Sequence, residues 1–166
     1  MRLFIVRHAI AVPHGTPGVA EDDRPLTKDG IRKMNEAARG LRAIVGIPDI
    51  ILTSPLPRAK QTADILVQSL GKQIPLELID ALAPAGSHSG VYKEMRRHQK
   101  ADSLMIVGHQ PSLGEIAGEI AWGSPEHYVE LKKGGACAIE IEGLTPTPRG
   151  TLLWLVTPSI LRSLAE

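Results

Sequence analysis

The stretch Leu3-Phe4-Ile5-Val6-Arg7-His8-Ala9 constrains the chain most. Four apolar residues run directly into a cation and an imidazole. A run this short and this apolar reads as a strand buried on both faces. Its end then delivers Arg7 and His8 to the rim of a sheet, which is where open α/β sheets bind ligands. Taken alone, the stretch is equally compatible with Arg7 and His8 opening a solvated loop.

The remainder of the chain repeats the pattern. Asp49-Ile50-Ile51-Leu52 forms a second apolar run and ends in Thr53-Ser54-Pro55, with Arg58 close behind. Ser54 is a candidate helix cap, and Pro55 suits a first helical turn. Ser103-Leu104-Met105-Ile106-Val107 forms another run and ends in Gly108-His109-Gln110-Pro111. Three runs thus end in basic residues just before a helix start.

Between these runs lie helical patterns. Thr27 is an N-cap candidate, followed by Ile31, Met34, Ala38, Leu41 and Val45 at helical spacing, with Gly46 and Pro48 as stops. The Met34 stripe reads as core packing with no cofactor role. Ala59, Thr62, Ala63, Leu66 and Leu70 give the next helix a small-residue face. Residues 74–79 are a third strand candidate. Residues 80–90 read as a loop, and 91–98 as a helix whose Arg96-Arg97-His98 run is a solvated face. Leu113, Ile116, Ala117 and Ile120 mark a further helix. Lys132-Lys133-Gly134-Gly135 reads as a turn. Residues 136–141 and 151–156 are strands joined by a linker too short for a crossover helix, so they should pair antiparallel. Ser159 to Leu164 closes the chain as a short helix. The order predicts an α/β fold. It should be a three-layer sandwich whose central sheet is mostly parallel with one antiparallel strand, helices covering both faces.

At 166 residues the length fits one domain spanning 1–166. The 3% aromatic content means a core of Leu, Ile, Val and Ala. A net charge of +1 with mixed signs gives no electrostatic case for nucleic acid. The one cysteine, Cys137, lies in an apolar run and reads as a buried, inert thiol. No apolar run reaches the ~18 residues that span a membrane. With no signal peptide in the reading, the protein is expected to be cytoplasmic and unassociated with membranes.

Arg7, His8, Arg58 and His109 therefore converge on one rim, beside helix N-termini at Pro55 and Pro111 that add backbone donors. Residues 10–25, a long loop holding His14, Asp22, Asp23 and Arg24, should fold over the same rim. Such a site suits a tetrahedral, multiply charged anion, above all a phosphoryl group. A metal reading competes poorly, because no H-x-H or H-E-x-x-H is present and arginines would repel a divalent ion. A serine hydrolase would need G-x-S-x-G. One histidine can instead be the nucleophile that forms a phosphohistidine. The neighbouring arginines keep that imidazole neutral. His8 is favoured because its backbone is fixed at a buried strand end.

Arg7-His8-Ala9 resembles the Arg-His-Gly signature of the histidine phosphatase superfamily, the phosphoglycerate-mutase-like fold. Residues 53–63 resemble that superfamily's second motif, and Val107-Gly108-His109-Gln110-Pro111 its third. Asp23-Arg24-Pro25-Leu26-Thr27 with Gly30 resembles the small SixA-type phosphohistidine phosphatases, as does a length that leaves no room for a large helical insertion. The resemblance implies that His8 carries the phosphoryl group and that Arg7, Arg58 and His109 hold it. Arg24, His14 and Gln110 are implied to lie on the substrate side of the pocket. It implies no metal and no cofactor, and a partner that is a phosphohistidine-bearing protein such as a phosphotransfer domain.

Two positions depart from the family pattern. Ala9 replaces the usual glycine, which is acceptable at negative φ. The carboxylate that relatives use as general acid has no counterpart at residues 82–86, where Glu77 and Asp80 are the nearest acids. A phosphate ester needs its leaving alkoxide protonated, whereas a phosphohistidine imidazole can carry its proton already. The expected activity is therefore hydrolysis of protein phosphohistidine. The alternatives are a small-molecule phosphomonoesterase using Asp80 or Glu77, and a non-catalytic phosphate-binding or phosphoprotein-binding module. Both histidines beside both arginines speak against the module.

Overall fold

In a computed structural model describing residues 1–165, six strands form one sheet. They are β1 (Arg2–Arg7), β2 (Ile50–Thr53), β3 (Leu76–Leu78), β4 (Ser103–Gly108), β5 (Ala136–Gly143) and β6 (Arg149–Val156). The spatial order is β3-β2-β4-β1-β5-β6. The first four in that order run parallel; β5 is antiparallel to both β1 and β6. The expected mostly parallel sheet with one reversed strand is what forms. The helices are α1 (Lys28–Val45), α2 (Pro57–Leu70), α3 (His88–Arg97), α4 (Ser112–Trp122) and α5 (Pro158–Ser163).

The apolar runs follow from burial on both faces. Phe4 and Val6 of β1 pack with Met34 and Leu41 of α1, Ala59 and Leu66 of α2, and Leu161 of α5. Leu3 and Ile5 face the other way, into Met95 of α3 and Leu113 and Ile116 of α4. The sheet therefore lies between two helical layers, and polar alternation has no place on its inner strands. Cys137 sits fully buried in the second of these clusters. Burial pushes its thiol up to about 12, which leaves it protonated and inert at neutral pH.

Several local expectations shift. Thr27 caps α1 by accepting from the Gly30 amide. Ile31, however, is 40% exposed, and Gly30, Ala37 and Gly40 join Met34, Ala38 and Leu41 on the buried face instead. The second helix starts at Pro57, with Leu56 as its cap residue, so Ser54 and Pro55 stand outside it. The loop after β3 is shorter than expected, because residues 80–82 form a short 3₁₀ turn and α3 begins at His88, capped by Ser87. Among the described residues, no helix is long and apolar enough to cross a membrane.

Register sets the rim. Arg7 is level with Gly108, and Thr53 with Val107. The ladder runs one residue past the strands, with His8 N donating to Gly108 O at 3.0 Å and Ser54 N to Val107 O at 3.0 Å. Residues 7–8, 53–54 and 108–109 thus end at one level on one edge of the sheet.

Candidate active site

A cavity of about 400 Å³ opens at this edge. Its wall includes Arg7, His8, His14, Arg24, Arg58, His109 and Gln110, so all the candidate site residues except the alternative acids Glu77 and Asp80 come together there. Glu21, Asp22, Pro84 and Lys133 complete much of the lining. Residues 10–25 do fold over the rim, tied at their base by a bridge between Ala11 and Leu26.

His8 is 5% exposed and His109 3%, with ring centroids 5.2 Å apart. His8 Nδ1 lies 2.7 Å from the carbonyl of Ala9. A carbonyl can only accept, so Nδ1 carries the proton and Nε2 keeps its lone pair. Ala9 holds this geometry from behind: its amide donates to Thr62 Oγ1 at 3.0 Å, and Thr62 donates to Arg58 O at 2.7 Å. No non-glycine residue among those described has positive φ, so alanine fits at position 9 without strain.

His109 is oriented by a residue whose role the sequence reading missed. Its Nε2 lies 2.8 Å from Ser54 Oγ, while Leu56 N donates to the same oxygen at 3.3 Å. When the Ser54 hydroxyl donates to His109 Nε2, the ring proton sits on Nδ1, which is buried without a partner among the described residues and becomes a donor. Ser54→Ala is expected to keep the fold and lower kcat/KM about tenfold, the worth of one such bond, as steady-state kinetics would show.

His109 Nδ1, Arg7 Nε, Arg24 Nε and Arg58 Nε are buried and have no hydrogen-bond partner among the described residues. All four belong to residues lining this one cavity. The other ends of the guanidinium groups are anchored. Arg7 Nη1 donates to Leu131 O at 2.8 Å, Arg24 Nη1 to Val12 O at 3.0 Å, and Arg58 Nη1 to Glu21 O at 3.2 Å. Fixed, unpaired donors of positive charge are what a tetrahedral oxyanion needs.

Burial lowers the His8 imidazole to about 4, reinforced by Arg58, Arg7 and Lys133 against the opposing Ala9 bond. Burial likewise lowers His109 to about 3, helped by His8 and the arginines. Both rings are neutral at pH 7. An unfolded chain protonates them near 6.5, so between about 6.5 and these lower values it binds more protons than the folded one. Stability from this source is complete above pH ~6.5 and is lost as pH falls toward 4 and then 3. Each ring contributes up to ~1.4 kcal/mol per pH unit in that window. Urea titrations at pH 7, 6 and 5 should show a falling midpoint, with a shallower slope in His8→Gln and His109→Gln.

The structure separates the remaining candidates. His14 is at the rim with its side chain 82% exposed, its Nδ1 paired with Glu21 Oε2. That pairing and the Arg24 contact hold the Glu21 carboxyl below its ordinary value. Gln110 lies in the wall, but its amide bonds inward: Nε2 donates to Val129 O at 3.1 Å, and Oε1 accepts from Gly114 N at 2.8 Å. Neither Glu77 nor Asp80 lines the cavity. Glu77 lies 3.5 Å from His98, and Asp80 is exposed beyond β3. The carboxylates in the wall are Glu21 and Asp22, which the sequence reading did not single out as pocket acids.

The class is defined by these strand-end donors on a mostly parallel sheet. The chain belongs to the histidine phosphatase superfamily (branch 1), whose family description matches residues 3–119. It is similar to an uncharacterized protein of Picosynechococcus sp., 41% identical over 81% of this chain and 82% of that protein. It is also similar to the phosphohistidine phosphatase SixA of Escherichia coli, 26% identical over 98% and 97% of the two chains. Among solved structures, protein histidine phosphatase SixA complexed with tungstate shares the fold. The TM-score is 0.84 at 23% identity, over 97% of this chain and 99% of that one. An α-ribazole phosphatase from Shigella flexneri shares it too, with a TM-score of 0.72 at 21% identity, over 95% and 97%.

Proposed function

We propose that this chain hydrolyses phosphohistidine in proteins through a covalent phospho-His8 intermediate. Membership of the superfamily supports phosphatase chemistry, and the kinship with SixA supports the nitrogen-linked substrate. The observation that carries the reading is the His8 tautomer: Nδ1 is held by Ala9 O, which leaves Nε2 as a nucleophile among unpaired cationic donors.

In the first step His8 Nε2 attacks phosphorus, and the P–N bond to the substrate imidazole breaks. The electron pair returns to the substrate nitrogen, and that ring departs neutral because its other nitrogen already bears a proton. Positive charge grows on His8 as the new bond forms, and the Ala9 carbonyl stabilises it through Nδ1–H. Arg7, Arg24, Arg58 and His109 Nδ1–H stabilise the charge on the transferring oxygens. Water then attacks phosphorus, the P–Nε2 bond breaks, and inorganic phosphate leaves.

Pro84 lines the cavity from the segment where relatives place their acid, so that wall provides no proton for an alkoxide. One observation favours a second reading. Asp22 is in the wall and has no ion-pair partner among the described residues, so it could protonate an ester leaving group. Comparing kcat/KM on a phosphohistidine peptide and on para-nitrophenyl phosphate separates the two. The phosphohistidine reading expects the peptide to be preferred and Asp22→Asn to leave it almost unaffected. Ester preference by orders of magnitude, lost in Asp22→Asn, would establish the second reading instead.

A further inference from the structure

Residues 124–131 run from the end of α4 across to the start of the Lys132–Lys133 turn, and this segment passes directly beside Arg7. It has no regular secondary structure, yet it is held from three sides. Gly114 O accepts from Val129 N at 3.1 Å, and Gln110 Nε2 donates to Val129 O at 3.1 Å. The third hold is steric. Gly114 and Gly118 lie on one face of α4, and the segment is seated directly on their backbone. A Cβ at Gly118 would lie 1.9 Å from His127 O, and one at Gly114 would lie 2.4 Å from Val129 O and 2.5 Å from the Tyr128 ring. Both clashes involve the backbone of the segment, so it cannot yield by a side-chain rotation.

From this seat the segment presents a single carbonyl to the site. Leu131 O accepts from Arg7 Nη1 at 2.8 Å, the one hydrogen bond the Arg7 side chain makes among the described residues. The guanidinium group is planar, so fixing Nη1 fixes the direction of Nε, which is buried without a partner. Two residues further on, Lys133 enters the cavity wall and Gly134 N donates to the carbonyls of Arg7 and His8, both at 3.1 Å. The strand end is thus clamped at backbone and side chain by one continuous piece of chain.

We propose that this segment is a strap whose function is to aim Arg7, and that Gly114, Gly118 and Gln110 are positioning residues for it. The proposal rests on the reading that Arg7 grips the phosphoryl group. The glycines supply a flat seat, Gln110 supplies the latch, and Leu131 O transmits the position. None of the three has to touch substrate. A shift of the strap by a fraction of an ångström rotates the Arg7 fork away from the oxyanion, and misplacement on that scale is costly to catalysis.

The test measures inorganic phosphate affinity by calorimetry, and kcat/KM on a phosphohistidine peptide, in Gly114→Ala, Gly118→Ala and Gln110→Ala. Each is made alone and in an Arg7→Ala background. The single variants are expected to weaken phosphate about tenfold and to lower kcat/KM by up to ~10². In the Arg7→Ala background they are expected to add nothing, because the group they aim is gone. Gln110→Ala inserts no bulk, so it carries the same comparison if a glycine variant does not fold. Losses that multiply in the Arg7→Ala background, or folded single variants that bind phosphate like the parent, overturn the strap's role. An Arg7→Ala protein that binds phosphate as tightly as the parent overturns the reading of the site itself, and the strap with it.

Discussion

Replacing His8 by alanine is expected to abolish turnover, with a loss of at least about 10⁴-fold, while the protein still binds phosphate. The two effects separate because the site divides its tasks. On the proposed mechanism, bond making belongs to the Nε2 lone pair of His8, and His109 does not replace it because its own Nε2 is held by Ser54. On the same reading, holding the anion belongs to three guanidinium groups whose anchors, Leu131 O, Val12 O and Glu21 O, do not involve His8. Phosphate or orthovanadate affinity should therefore stay within about tenfold of the parent. In the parent, rapid mixing with a phosphohistidine peptide and neutral quenching should place phosphorus on the peptide containing His8. Turnover by the variant within tenfold of the parent would remove His8 from the role of nucleophile.

Arg58→Ala should cost 10²–10³ in kcat/KM, the usual worth of a fixed donor at a centre of developing charge. Arg58 is 4% exposed, on the first turn of α2. One end of its fork holds Glu21 O, and Nε is buried without a partner among the described residues. A lysine can place its single ammonium at one of these positions but not both, so Arg58→Lys should recover less than tenfold of the loss. The measurement is kcat/KM for both variants with phosphate affinity alongside. Full recovery in Arg58→Lys would mean that charge alone matters and the fork geometry does not.

Much of this arrangement was readable in the residues, for a physical reason. Inner parallel strands bury both faces, so β1 and β4 appear as unbroken apolar runs, and polar residues straight after them mark the sheet edge. Arg7, His8, Arg58 and His109 stood out on that ground. Ser54 did not, because a serine before a proline satisfies the local rule for a helix cap, and its bond to a histidine 55 positions later leaves no local trace. Gln110 was expected to face substrate, but its amide is turned to Val129 and Gly114, which only the fold brings near. Glu21 and Asp22 lay inside an aperiodic loop, and Lys133 looked like part of a turn. Ile31 fell in the helical stripe by spacing yet faces out, because Gly30 and Gly40 sit where the backbones of Ile10 and Leu161 come against α1.

The division between strand ends and loops has a practical consequence. Arg7 and the two histidines sit at the ends of the strand ladder, while the cavity's outer walls come from residues 10–25 and from Pro84. A protein engineer could graft new sequences onto those outer walls, keeping Val12, Glu21 and Arg24 in place, to change which molecules gain entry. The two histidines beneath them would be left alone, since their alignment is inherited from the pairing of β1, β2 and β4 and not from anything the visitor touches first.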